Sequence, residues 1–118
     1  MANEYDSPAE DAVGKEAPMT EEQAAQLRDT VSYSITESAK VLPIHKHKSE
    51  IITKLDRNRV VIISGDTGCG KTTQVPKYIL ETGLNRQQDV KIICTQPRRL
   101  AAVNIARRVA TELKERVG

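Results

Sequence analysis

The 118-residue chain contains no Phe and no Trp, and its three aromatic residues are all Tyr. Its core is therefore expected to be aliphatic, without the large buried areas that aromatic side chains supply. No apolar run approaches the roughly 18 residues that a membrane-spanning helix needs. The opening stretch Met1–Glu10 is acidic and has no apolar segment of the kind a secretory signal carries. No arginine precedes Arg28, which argues against a mitochondrial presequence. Two cysteines, Cys69 and Cys94, are too few for a disulfide framework. These absences exclude secreted, membrane-spanning and fibrous classes. The expectation is an intracellular globular chain, nuclear or cytoplasmic, with nothing to separate the two.

What is present is unevenly spread. Residues 1–34 hold eight acids against only Lys15 and Arg28, a net charge of −6, so residues 35–118 carry +8. This split suggests an acidic, mostly disordered lead over 1–34 and a basic body over 35–118. The body's charge suits a polyanionic partner, although a mildly basic solvated surface accounts for it as well.

Within the lead, Thr20 and Gln23 form a capping box, which predicts a short helix near 21–30. Its apolar face of Ala24, Ala25 and Leu27 is too weak to hold without something to pack on. Beyond Leu42-Pro43, Ile44, Lys48, Ile51, Ile52 and Leu55 share one face, predicting an amphipathic helix over 44–57. His45, Lys46, His47, Lys54 and Arg57 then lie on its polar face. His45 and His47 lack a third ligand nearby in sequence, which argues against a metal site. Val60-Val61-Ile62-Ile63 reads as a strand buried on both sides in a parallel sheet, and Val90–Thr95 as a second. A helix is predicted from about Gly70 to Glu81, kinked at Pro76 and stopped by Gly83. Another is predicted over 98–116, with Ala102, Ala106, Val109, Leu113 and Val117 inward. Cys94 is expected to be an inert core thiol. This order of elements opens an α/β parallel sheet.

Gly65-Asp66-Thr67-Gly68-Cys69-Gly70-Lys71-Thr72 matches G-x-x-x-x-G-K-[ST] in full, after an expected strand and at the start of a helix. The glycines let successive backbone N–H groups converge as an anion nest. The helix N-terminus adds partial positive charge. Lys71 is placed to reach the β- and γ-phosphates, and the Thr72 hydroxyl to ligate Mg²⁺. Further on, Thr95-Gln96-Pro97-Arg98-Arg99 combines polar groups with two arginines at the start of a helix. That combination suits a phosphodiester backbone.

With Leu42-Pro43, the loop and its trailing Thr73-Gln74-Val75-Pro76, Thr95–Arg99, and Ala106-Arg107-Arg108-Val109-Ala110, the chain resembles the DEAH/DExH-box ATP-dependent RNA helicases from about Leu42 to Gly118. The resemblance implies part of a RecA-like domain, a P-loop NTPase fold whose parallel sheet is flanked by helices and is incomplete here. It implies ATP and Mg²⁺ as cofactors, RNA as partner, no membrane, and the remainder of the helicase core as a further partner. Residues Gly65, Asp66, Thr67, Gly68, Cys69, Gly70, Lys71, Thr72 and Thr73 would bind nucleotide, with Thr72 on Mg²⁺ and Arg108 stacked on the base. Thr95, Gln96, Arg98 and Arg99 would meet RNA. Asp66 stands where Glu is usual, and Cys69 where Ser or Ala is usual. No DExH carboxylates and no second lobe are found in the chain, so no catalytic residue is assigned and the chain alone is expected to be inactive. A short nucleotide- or RNA-binding protein without turnover is the alternative.

Overall fold

The structure is a computed structural model that describes residues 18–117, and its first element grows from the capping box. The Thr20 hydroxyl accepts from the Gln23 amide at 3.2 Å, and the Gln23 side chain accepts from the Thr20 amide at 3.0 Å. Helix α1 then runs over Glu21–Ala39, well past residue 30. It lengthens because Val31, Ser34 and Ile35 recur at helical spacing and are buried together. The helix crosses the charge boundary at residue 34. The expectation for the first 17 residues lies outside the described residues.

Residues 44–57 are not one helix. Pro43–His47 forms a 3-10 turn with Pro43 in its first turn, and α2 follows over Lys48–Arg57. Proline suits that first position because its missing N–H has no helical partner there. Helix α3 spans Lys71–Asn85 and contains both Pro76 and Gly83. Gly83 is not a stop signal; it is where Val90 crosses the helix. A Cβ at residue 83 would fall 1.9 Å from Val90 Cγ2. Helix α4 covers Arg99–Glu112 and ends short of residue 116.

The expected α/β RecA-like parallel sheet is not present. Among the described residues there is no strand, and the stretches over 60–63 and 90–95 have no regular secondary structure. Val60, Ile62 and Ile93 are 79%, 90% and 80% exposed. A helix satisfies its own backbone, whereas a strand obtains its hydrogen bonds only from a neighbour. A β-branched run favours an extended backbone but supplies no partner, and these two stretches form no ladder with each other.

The core lies instead among the helices. Val31 and Ile35 of α1, Ile44 of the 3-10 turn, Ile51 of α2 and Tyr78 of α3 form its buried centre, with Leu55, Val75 and Leu80 packed against it. It is not purely aliphatic, since Tyr78 is fully buried. Helix α4 buries no residue completely, and the expected inner residues Ala102, Ala106 and Val117 are exposed.

Candidate functional site

The loop between Ser64 and α3 depends on two left-handed residues, Gly68 at φ 85° and Gly70 at φ 102°. Side chains with a Cβ rarely adopt that region, which explains glycine at both. Gly70 is the N-cap of α3, and it is crowded from behind. A Cβ there would lie 3.1 Å from Leu42 Cδ1 and 3.2 Å from both Ile44 Cγ2 and Gln74 Cγ. Backbone bonds complete the turn. The Cys69 N–H donates to the Asp66 carbonyl at 3.3 Å, and the Cys69 carbonyl accepts from the Ile44 N–H at 3.3 Å. The 3-10 turn is thus stitched directly to the loop.

Lys71 opens α3 and folds back to donate to the Gly65 carbonyl. Its ammonium forms no ion pair with a carboxylate among the described residues, although Asp66 and Glu50 line the same cavity. A cavity of about 570 Å³ lies beside it, within the range of small-molecule sites. Gly65, Asp66, Thr67, Gly68, Cys69 and Lys71 form one wall. The 3-10 turn and α2 form the other, with Lys46, His47, Glu50 and Lys54. Hydrogen bonds from Lys54 and then His47 hold the Glu50 carboxyl below its ordinary range.

The remaining expected site residues are distributed elsewhere. Thr72 lines a second cavity of about 440 Å³ between α3 and α4, together with Gln96. Thr73 is buried behind the loop, with its hydroxyl 3.5 Å from the Gly70 carbonyl. Thr95 and Arg98 are exposed ahead of α4, and Arg99 is its exposed first residue. Arg108 donates to Glu112 at 3.2 Å and does not line the loop cavity. Cys94 is exposed rather than a core thiol, because its segment joins no sheet that would cover it. No cluster of three or more His, Cys, Asp or Glu suited to a metal ion occurs among the described residues. None of their helices is long and apolar enough to cross a membrane.

A polar network behind the loop escaped the sequence reading. Lys77 is 1% exposed; it bonds Ser34 Oγ at 2.8 Å and forms an ion pair with Glu112, tying α1, α3 and α4 together. Glu81 accepts from Ser32 at 2.8 Å and from Lys48 at 2.6 Å, joining α1 and α2 to α3. His45, expected on a polar helix face, turns inward and places Nδ1 2.7 Å from Tyr78 Oη. The only sequence signal was position: Gln74, Lys77, Tyr78 and Glu81 recur at helical spacing on one face of α3.

No family model matches the chain. Curated relatives do. It is 39% identical over 116 residues to the mouse protein named "Putative ATP-dependent RNA helicase DHX57", covering 97% of this chain and 8% of that one. Over 82 residues it is 52% identical to "Probable ATP-dependent RNA helicase spindle-E" of Culex quinquefasciatus, covering 70% of the chain and 6% of the relative. Over 81 residues it is 48% identical to "DExH-box ATP-dependent RNA helicase DExH3" of Arabidopsis thaliana, covering 67% and 7%. The chain spans less than a tenth of the length of each. Over most of its length the chain is thus homologous to a segment of DExH-box ATP-dependent RNA helicases.

Proposed function

We propose that the chain is a triphosphate-binding segment of a DExH-box RNA helicase, which holds ATP with Mg²⁺ on the loop Gly65–Thr72 and meets RNA through Thr95, Gln96, Arg98 and Arg99. The observation that carries the reading is the loop itself. Two left-handed glycines, a helix N-terminus and an ammonium without a carboxylate partner converge beside a cavity of about 570 Å³. These features favour an anion with several oxygens, because backbone N–H groups and a lysine point charge reward phosphate over a neutral ligand.

In this reading the N–H groups from Gly68 to Lys71 hold the phosphates. Lys71 leaves the Gly65 carbonyl for the terminal phosphate oxygens. The Thr72 hydroxyl is a hard oxygen donor that fits Mg²⁺, and with no metal-binding cluster among the described residues the ion would arrive with the nucleotide. Arg108 is assigned to the base, since a planar, weakly hydrated guanidinium stacks well. Past Thr95 the only acids are Glu112 and Glu115, and Glu112 is engaged by Lys77 and Arg108. We assign the loop the binding of the triphosphate. Turnover and movement along RNA belong to the complete enzyme.

Titration of the chain with a fluorescent ATP analogue and Mg²⁺ tests the reading. Lys71→Ala removes a charge-assisted contact, so the dissociation constant rises about 10- to 100-fold while the helical circular dichroism is unchanged. Equal affinity of the two proteins would remove Lys71 and the loop from the assignment.

A further inference from the structure

A line of polar groups leads from the centre of the core to the loop. Tyr78 is fully buried on α3, and its Oη lies 2.7 Å from His45 Nδ1 on the 3-10 turn. Burial, reinforced by Glu81, raises the phenol far above its ordinary pKa, so it keeps its proton. At the other end Gln74, also fully buried, donates through Nε2 to Thr73 Oγ1 at 3.1 Å. The Thr73 hydroxyl in turn lies 3.5 Å from the Gly70 carbonyl. Between the two ends, His45 Nε2 and Gln74 Oε1 are both buried, and neither has a hydrogen-bond partner. The Gln74 side chain is nevertheless near enough to favour a proton on the imidazole.

A neutral His45 with its proton on Nε2 would complement the unpartnered Gln74 Oε1 while its Nδ1 accepts from the Tyr78 hydroxyl. The opposite tautomer would set Nε2, an acceptor, against the Gln74 oxygen, also an acceptor. Burial first, then the charge of Lys48, lowers the His45 pKa, in keeping with a neutral ring. The titratable groups around it are Lys48 of α2, Lys77 and Tyr78 of α3, and Glu81, which is bonded to Lys48 and to Ser32 of α1.

We propose that Tyr78, His45 and Gln74 form a hydrogen-bonded relay that positions the phosphate loop through Thr73 and Gly70. The mechanical link is on the same turn: the neighbouring Ile44 bonds the Cys69 carbonyl, and the side chains of Ile44 and Gln74 both press on Gly70. Rotation of the turn or of Gln74 therefore displaces the residue that aims the loop's amides. Tyr78 and His45 touch no ligand; they are positioning residues. The proposal rests on the loop being the phosphate site, but the relay has readouts of its own.

The test uses Tyr78→Phe in the 118-residue chain, which removes one hydroxyl, with Tyr33→Phe at a 63% exposed position as its control. In the unaltered protein, ¹⁵N spectra of the His45 ring should show a proton on Nε2 and none on Nδ1. In Tyr78→Phe the His45 titration moves upward, because a bond that favoured the neutral ring is gone. Without nucleotide, amide exchange over residues 69–74 quickens several-fold more than over residues 51–55 of α2. Affinity for the fluorescent ATP analogue falls about five-fold, the effect of one net hydrogen bond. Tyr33→Phe changes none of these. A proton on Nδ1 in the unaltered chain overturns the relay even if the variant fails to fold. Unchanged exchange and unchanged His45 titration in a folded Tyr78→Phe overturn it too. If the unaltered chain binds no triphosphate, the loop assignment falls, while the spectra and exchange still decide the relay.

Discussion

The two sides of the phosphate loop are built to different standards. Behind it, α1, the 3-10 turn, α2 and α3 supply every residue of the buried centre. They are joined by Glu81 and by the inward His45–Tyr78 pair. Ahead of it and beyond it, Val60, Ile62 and Ile93 stand exposed with only Val61, Ile63, Val90 and Ile92 half-buried, and α4 buries no residue. The loop's conformation is thus fixed from the helical side. Helices carry their backbone hydrogen bonds with them and need only one covered face, so they assemble locally; extended segments stay open until something pairs with them.

The most severe way to break this contrast is through the tie that α4 does have. Glu112 is the acidic partner of the almost completely buried Lys77. Glu112→Ala leaves that ammonium with Ser34 alone, and the expected loss is about 3–5 kcal/mol in a denaturant titration. Adding Lys77→Met, which removes the stranded charge, should recover most of it. A loss under about 1 kcal/mol for the single variant would mean that α4 hangs free and the pair is an ordinary surface bridge.

Apolar truncations sharpen the contrast next. Ile35 is 5% exposed against α3, whereas Ile93 is 80% exposed. Ile35→Ala should cost about 2–4 kcal/mol, through lost burial and a residual cavity. Ile93→Ala should stay within about 0.5 kcal/mol. Equal costs would show that the stretch at 90–95 is covered after all.

How far each region was legible follows from the same physics. The loop was readable because Gly68, Gly70 and Lys71 act through local backbone geometry, which a motif records completely. The capping box placed the start of α1 for the same reason. Its end was missed because Val31, Ser34 and Ile35 make a stripe too small and too polar to register without the face of α3 that receives it. The runs Val60–Ile63 and Val90–Thr95 have the composition of buried strands, but neither pairs in the structure, because pairing depends on register and partner geometry that composition does not record. The burial of Tyr78 and Lys77 is not legible locally, because it is decided by partners 33 to 43 residues away. Gly83 was read as a stop because its actual reason, the approach of Val90, is likewise non-local.

The gentlest probe of the packed side is acidity. Burial lowers the His45 pKa in the folded chain below its ordinary value near 6.5. The unfolded chain therefore binds more protons than the folded one as pH drops past that value. The stabilising contribution is complete above about pH 6.5, and it declines as pH falls toward and through the folded-state pKa. Glu50 and Asp56 also have lowered pKa values, through Lys54 and Arg86 respectively, but their contributions fade only in the lower carboxylate range. Denaturant midpoints compared at pH 7 and pH 5.5 isolate the histidine. The unaltered chain should be less stable at pH 5.5, and His45→Gln, which cannot charge, should show a flatter profile. The same slope in both proteins would place His45 in solvent, and with it would go the claim that the 3-10 turn belongs to the core.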